Sequence, residues 1–344
     1  MRKLNIIDKF IFIINSVLAT LLLLSYLLPY IPPKHFALLS VLSLMVPLLM
    51  LINGLFVLYW LLKLKKQLLL SALVLVIGYF NLGSFYKFSS ERASEKNENE
   101  TTISVMSYNV RLFNIYKWIE DKDVEQEISS LVQEASPDIL CIQEFHPEQK
   151  RVDFSQYKHN YVQLAGEHKL FGQAIFSRFP IVNSGSITFP NTPNNAIYAD
   201  VVKGEDTIRV YNFHLQSLRI NTQVEELKKQ DSERLLKSIG NSFSIQQEQA
   251  ELLLEHITAC KYKMLITGDL NNTASSYVYR KIKGDLTDTF KVAGEGFGKT
   301  YEFKFYPVRI DFIFSDEAFA VRDFKTFNVL YSDHYPVMAS LSLH

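Results

Sequence analysis

Cysteine is scarce: the chain has two, Cys141 and Cys260, in 344 residues. Cys141 falls inside the apolar run Asp138-Ile139-Leu140-Cys141-Ile142, and Cys260 lies near the end of a predicted helix. Two such residues build neither a disulfide framework nor a thiolate metal site. They read as a small buried hydrophobe and an incidental thiol. Net charge is also missing, with 36 Lys and Arg against 36 Asp and Glu. Overall charge therefore holds no polyanion, which counts against a dedicated duplex-DNA binder and leaves room for a local basic patch. Internal repeats and low-complexity tracts are absent too.

What is there begins with apolar length. Ile11–Leu28, Phe36–Leu62 and Leu68–Phe85 contain no charged residue. A helix needs about 20 apolar residues to cross a bilayer. The runs have no polar face, which argues against a buried soluble bundle. They extend far beyond a signal peptide and show no small-residue cleavage site. The expected organisation is a transmembrane region over 1–86, with spans at about 10–29, 36–62 and 67–85. Gly78, Asn81 and Gly83 dilute the third, so two spans plus an interfacial helix is the alternative organisation. A polar linker follows at 87–101, then a soluble domain at 102–344.

Lys and Arg give the orientation. Arg2, Lys3 and Lys9 precede the first span, and Lys63, Lys65 and Lys66 separate the second from the third, while the first loop has only Lys34. The positive-inside rule places the N-terminus and the second loop in the cytoplasm. Three spans then put the soluble domain outside it.

From Thr102 onward the pattern mixes strands with helices. Val124–Glu134 and Tyr277–Lys283 have helical spacing, and a polar helical stretch Gln216–Gln249 runs into Gln247–Thr258. Gln173–Phe176 and Ile181–Ile187 read as a strand pair around Ser177–Pro180. Ala196–Val202 and Thr207–Phe213 read as a hairpin. Lys261–Ile266, Lys299–Tyr301, Arg309–Ser315, Asp323–Leu330 and Val337–Leu343 supply late strands. Strands outside strict βαβ order predict a mixed sheet or two packed sheets with helices outside.

Six polar clusters punctuate the apolar runs. They read Ser107-Tyr108-Asn109, Gln143-Glu144, Asn212-Phe213-His214, Gly268-Asp269-Leu270-Asn271, Arg309-Ile310-Asp311 and Ser332-Asp333-His334. Strands that deliver such groups at one end of a sheet build a charged cleft, and hard oxygen ligands with two histidines suit a divalent cation and a phosphate. Each cluster alone has a plain alternative. Glu144 ends a buried strand, where a carboxylate is paired, metal-bound or reaching for solvent. Asp269 can take a proton from water while Asn271 holds that water or a phosphoryl oxygen, yet Gly-Asp-x-Asn-Asn is also turn composition. A carboxylate behind His334, such as Asp311, would fix its tautomer and favour its cation. Asn109 alone is a cap or a turn.

Together these motifs resemble the endonuclease/exonuclease/phosphatase superfamily, over about Ser104 to His344, with the apolar spans outside the match. The resemblance implies an α/β four-layer sandwich, two mixed β-sheets face to face with helices outside. It implies hydrolysis of a phosphate ester with Mg²⁺ or Mn²⁺. By resemblance Glu144 is the main metal ligand with Asn109 beside it, and Asp333 is a further metal-site or histidine-supporting residue. Asp269 orients or deprotonates the attacking water, and Asn271 positions the phosphate. His214 and His334 donate to phosphoryl oxygens, and Asp311 orients His334. The apurinic-site repair branch has an acidic residue two positions after the first Asn. Arg111 stands there in this chain, as a phosphate contact or a turn cap, which resembles the secreted deoxyribonuclease and sphingomyelinase branches.

The expectation is a membrane-anchored phosphodiesterase, nuclease or phosphatase acting outside the cytoplasm. Its substrate is a nucleic acid, a phospholipid head group or a small phosphate ester. The bilayer is its other partner, with no obligate protein partner evident. The competing readings are a catalytically inactive domain that binds a phospholigand or partner protein, and a transporter accessory. The absence of intramembrane charge disfavours the last.

Overall fold

The computed structural model describes residues 4–82, 85–88, 101–120, 122–149, 151–165, 170–218 and 232–343. The polar linker expected at 87–101 falls largely outside them, as do 219–231 of the polar helical stretch.

The apolar runs form helices α1 (Ile6–Ser25), α2 (Ala37–Ser40), α3 (Val46–Leu62) and α4 (Leu68–Leu82), with a 3-10 turn, Val41–Met45, joining α2 to α3. The Asn5 side chain caps α1 by accepting from the Asp8 N–H. Pro47 sits in the first turn of α3, where its missing N–H costs nothing. The bundle turns its polar atoms inward. Asn15 Nδ2 donates to Ser71 Oγ at 2.6 Å, Ser71 Oγ donates to Asn53 Oδ1 at 2.8 Å, and Trp60 Nε1 donates to Asn15 Oδ1 at 2.8 Å. One network thus ties α1, α3 and α4 together. Phe10, Ile13, Leu51, Leu55, Leu69 and Val76 lie exposed on the outside. At one end Lys63 pairs with Asp8, which also accepts from the Tyr59 hydroxyl at 2.8 Å.

Two helical stretches, not the expected three, are long and apolar enough to cross a bilayer: Ile6–Tyr30 with 25 residues and Ala37–Leu62 with 26. The third run forms only the 15-residue α4. At 1.5 Å per residue such a helix covers about 22 Å, short of the roughly 30 Å hydrocarbon core.

Beyond residue 101 the chain builds two six-stranded sheets, packed face to face. The first takes β1 (Thr102–Asn109), β2 (Ile139–Phe145), β3 (His159–Ala165), β4 (Phe171–Ser177), β11 (Phe319–Thr326) and β12 (Val337–Leu343), in the order β11-β12-β1-β2-β4-β3. The second takes β5 (Ile181–Thr188), β6 (Asn195–Lys203), β7 (Asp206–His214), β8 (Lys263–Asp269), β9 (Thr287–Asp288) and β10 (Asp311–Ser315), in the order β5-β6-β7-β8-β10-β9. Both are mixed: β1–β2 and β7–β8 run parallel, and the other pairings are antiparallel.

Alternation along each strand divides the core. Ile103 and Val105 on β1 meet Val210 and Leu265 of the opposite sheet. Met106 and Tyr108 point the other way, onto Ile128 and Val132 of α5 (Val124–Ala135). Ile266 and Phe312 pack outward on Leu253 of α6 (Ser232–Thr258) and Val278 of α7 (Tyr277–Lys283). The result is an α/β sandwich with helices outside both sheets.

Three expectations differ from this topology. Gln173–Phe176 and Ile181–Ile187 do not pair, because β4 and β5 belong to different sheets and Ser177–Pro180 carries the chain between them. Periodicity identifies a strand and leaves its partner open. Lys299–Tyr301 is not a strand; Tyr301 makes isolated bridges to Val308 and His334. The strand expected to reach Leu330 ends at Thr326.

The helical bundle docks on the sandwich through its first loop. Lys34 donates its backbone N–H to Gln247 Oε1 at 3.0 Å and pairs with Glu251 at 2.7 Å. Gly240 of α6 faces Ala37, where an added Cβ would come within 3.1 Å of backbone. The Tyr306 hydroxyl donates to the Leu44 carbonyl at 2.8 Å. Lys87 forms a bridge with Gly296.

Candidate active site

Strand direction brings the polar clusters to one edge. Asn109 and His214 end β1 and β7, and Asp269 ends β8, which runs parallel to β7 with His214 and Asp269 in register. Glu144 lies one residue from the end of β2. Asp311 starts β10, which runs antiparallel to β8, so it stands opposite Asp269. β12 is antiparallel to β1, with Val337 opposite Ser107, so His334 just before it returns to the same edge.

Local backbone departures aim these groups. The β2–β4 register breaks between Ile142 and Phe145, and Glu144 there has φ 53°. A left-handed residue at a bulge turns the carboxylate off the regular pleat. Gly268 has φ 150°, and a Cβ on it would lie 2.1 Å from the Phe213 carbonyl oxygen. Glycine is what lets β8 approach β7 closely just before Asp269. Asn271 has φ 49°, so the chain turns after Asp269. Its N–H donates to Asp269 Oδ1 at 2.7 Å, and its Nδ2 donates to Asp269 Oδ2 at 3.2 Å and to the Leu215 carbonyl at 3.0 Å. The turn is thus also what orients Asp269.

Seven of the nine singled-out residues share one hollow. Asn109 Nδ2 lies 3.2 Å from both Glu144 Oε1 and Asp269 Oδ2. His214 Nε2 is 3.6 Å from Asp269 Oδ2 and 3.9 Å from Glu144 Oε1. His334 Nε2 is 3.7 Å from Asp269 Oδ2. On its other side His334 Nδ1 meets both Asp311 oxygens, at 3.0 and 3.1 Å. Arg111 and Asp333 stand at the rim, where they pair at 3.4 Å, each about a third exposed or less. The Arg111 guanidinium also lies 4.3 Å over the Trp118 ring. Arg111 to Asn114 all have positive φ, a left-handed turn held by the Arg111 N–H on Asn109 Oδ1 at 3.0 Å.

The two histidines carry different charge. Burial alone would lower the His334 pKa, but the Asp311 and Asp269 charges outweigh it and lift it to about 10. His334 is therefore a cation at neutral pH. Burial lowers the His214 pKa against the pull of Asp269, which keeps this ring neutral. Burial also raises Asp269 to about 6, opposed by the His334 charge. Glu144 is raised by burial too, against the Asn109 amide bond.

Several supporting residues were not among the candidate site residues. The Tyr301 ring packs edge-on to His334 with centroids 5.0 Å apart. Thr300 Oγ1 accepts from the Ile310 and Asp311 N–H groups at 2.9 and 3.0 Å, fixing the start of β10. Ser332 Oγ donates to the Asn109 carbonyl at 2.8 Å and accepts from the His334 N–H at 3.1 Å. Gln143 and Asn212, though inside motifs, join the sheets instead of lining the hollow: Gln143 Nε2 donates to Asn212 Oδ1 at 2.6 Å. Position in a motif could have flagged Ser332; nothing local marks Tyr301 or Thr300.

Residues 106–334 match the Endonuclease/Exonuclease/phosphatase family, and residues 8–85 match a domain of unknown function (DUF8431). No curated protein matches the chain. Among solved structures, an endonuclease/exonuclease/phosphatase family protein from Bacteroides thetaiotaomicron is 20% identical, with TM-score 0.55 over 72% of this chain and 99% of that one. A mannosyl-6-phosphatase from the same organism is 20% identical, with TM-score 0.53 over 70% of this chain and 99% of that one. D. rerio TDP2 complexed with a single-strand DNA product is 17% identical, with TM-score 0.53 over 70% of this chain and 99% of that one. At such identities the likeness is one of fold.

Proposed function

The chain belongs to the endonuclease/exonuclease/phosphatase family, and from that premise we propose a membrane-anchored, divalent-metal-dependent hydrolase of phosphoester bonds that works outside the cytoplasm. The observation that carries the chemistry is the pairing of a buried carboxylate, Asp269, with a cationic His334 and a neutral His214 in one hollow.

The donor set fits a hard cation. Glu144 meets neutral groups, the Asn109 amide and the His214 ring, while burial penalises its charge. Mg²⁺ or Mn²⁺ prefers such oxygen donors. Asp269, Asp311 and His334 also offer atoms within 4.8 Å of one another. There, however, the His334 Nδ1 is taken by Asp311, which makes a histidine–carboxylate pair. Glu144 would hold the metal, with Asn109 beside it and Asp333 in reach of the rim. When bound, the ion polarises a phosphoryl oxygen and offsets charge in the transition state.

The side chains supply the remainder. Asp269, held by Asn271, takes a proton from a water whose oxygen bonds to phosphorus. The bond from phosphorus to the ester oxygen breaks, and that oxygen leaves as an alcohol after taking a proton from solvent. His334 and His214 donate to the phosphoryl oxygens, where negative charge grows. Asp311 fixes the His334 ring, Asn271 holds Asp269, and Arg111 at the rim binds phosphate. Hydrolysis of 4-nitrophenyl phosphate and bis(4-nitrophenyl) phosphate by the full chain tests this. EDTA abolishes the rate and Mg²⁺ restores it; an undiminished rate in EDTA contradicts the metal site.

The anchor follows from an inside-out bundle, apolar outside and polar within. At the lysine-rich end of α3 Lys63 pairs with Asp8, about 17 residues of helix from Val46 beside the docked first loop. The first loop, through Lys34 and Leu44, is the end that docks on the sandwich. Although α4 is short, it starts beside the lysine-rich segment at Leu68, and Lys87 beyond it bridges to Gly296 of the sandwich. Positive residues stay in the cytoplasm, which leaves residues 102–344, the proposed catalytic domain, outside.

A further inference from the structure

Between the hollow and the helical bundle lies an apolar slot that hydrolysis of a small ester does not use. It has a volume of about 110 Å³ and is lined mainly by Leu44, Leu218, Phe303, Tyr306, Val308 and Ile310, with Ser217, Asn272 and Thr273 on its polar side, and by Asn271 and Tyr301. The last two belong to both spaces. Asn271 holds the Asp269 carboxylate, and the Tyr301 ring packs on His334. A molecule whose phosphorus sits at Asp269 therefore has the slot as the neighbouring room for one of its ester groups.

The other wall belongs to the bundle. Leu44 lies within the apolar stretch Ala37–Leu62, and its carbonyl accepts from the Tyr306 hydroxyl at 2.8 Å. Pro47, three residues on, brings no N–H to that carbonyl, so the hydroxyl replaces a bond that the 3-10 turn cannot make. From Leu62 to Leu44 the helix rises about 27 Å at 1.5 Å per residue, close to one hydrocarbon thickness of about 30 Å. With Lys63 at the proposed cytoplasmic face, Leu44, which lines the slot, falls at the opposite boundary. Phe303, Phe305 and Tyr306 cluster beside it with ring centroids 5.0 and 5.1 Å apart, and Phe305 is 55% exposed. Aromatic residues at this level are the interfacial belt of membrane proteins.

We propose that the substrate is an amphiphile of the bilayer, a phosphoester of a lipid, whose hydrocarbon chain enters the slot between Leu44 and Val308 while its phosphoryl group sits at Asp269 and His334. This rests on the phosphoester-hydrolase reading of the hollow. The anchor then holds the active site at the depth where such a head group lies. A nucleic acid would use the same hollow and leave the slot empty.

The test compares ethyl and dodecyl 4-nitrophenyl phosphate on the full chain in one detergent, with Mg²⁺, in wild type and Val308→Trp. Each buried methylene contributes about fourfold. The dodecyl ester should therefore exceed the ethyl ester in kcat/KM by about tenfold or more, and the tryptophan that fills the slot should collapse that ratio. Simple partitioning of the longer ester into micelles would leave the ratio equal in both proteins, which overturns the slot. Equal rates for the two esters in wild type overturn the lipid substrate while the hydrolase stands. Preference for a single-stranded oligonucleotide over the dodecyl ester does the same. Cleavage of neither ester, with or without Mg²⁺, sinks the hydrolase reading itself. Independently of the variant's folding, a dodecyl phosphate carrying a diazirine at its chain end should label wild type within Phe303–Val308 or at Leu44. Labelling elsewhere contradicts the proposal.

Discussion

At the residue scale the site is a set of charges held apart from their ordinary values by burial and by one another. His334 stays cationic because Asp311 and Asp269 flank it, and Asp269 tolerates its burial because that cation faces it. Replacing either partner removes a donor or base and leaves its neighbour uncompensated. His334→Ala and Asp269→Ala should each lower turnover by about 10²–10³ or more, with circular dichroism unchanged. A folded variant of either kind at full rate ends the assignment. Gly268 carries a different load. With φ 150° and a Cβ position 2.1 Å from the Phe213 carbonyl, Gly268→Ala should cost about 2 kcal/mol or more and lower the melting temperature by several degrees. An unchanged melting temperature would show that β7 and β8 can part more easily than their register implies.

That Asn109, His214 and Asp269 would end strands was legible in sequence, because polar groups after apolar runs mark strand ends. Geometry was not. Asn271 reads as either a turn residue or a phosphate ligand, and the structure makes it the turn that orients Asp269. Asn212 reads as part of a chemical motif, yet its amide donates to the Ile142 and Ala174 carbonyls across the sandwich. Tyr301 reaches His334 from a segment with no motif and no strand.

At the element scale the informative contacts are the ones that join distant segments. Gln143 and Asn212 link β2 to β7 through a buried amide pair at 2.6 Å. Asn212→Leu takes the Asn212 donor from the buried Ile142 and Ala174 carbonyls and leaves the Gln143 amide with Ser107 as its acceptor, and should destabilise the protein by about 1–3 kcal/mol. Denaturant titration reads it; a stability equal to wild type would mean the sheets are held by apolar packing alone. Element types followed from periodicity, as α7 and β12 show with ends matching the expected ones. Partners did not, because period 2 says which face a residue takes and not which strand lies beside it. That is why β4 and β5 look like neighbours in sequence and sit in opposite sheets. The third apolar run falls short of a long helix. Lys63, Lys65 and Lys66 precede it, and the helix that starts at Leu68 has 15 residues.

At the scale of the whole molecule, bundle and sandwich are one arrangement in which the first loop docks on α6 and the lysine-rich segment follows the other end of α3. Composition disclosed the apolar helices; the docking of Lys34, Ala37 and Leu44 on the sandwich left no trace in sequence. A C-terminal fusion to a reporter active only outside the cytoplasm should be active, and one to a reporter active only in the cytoplasm should be silent. The reverse outcome would invert the topology. The central claim is that distant strand ends assemble one metal-assisted site for phosphoester cleavage. Its most direct measurement is hydrolysis by the purified full chain, with and without Mg²⁺, across single-stranded nucleic acid, sphingomyelin-type lipids, phosphoinositides and small phosphomonoesters. At least one should be cleaved only when Mg²⁺ is present, and that activity should vanish in Asp269→Ala. Silence across every class, or cleavage that survives the loss of Asp269, would contradict the account.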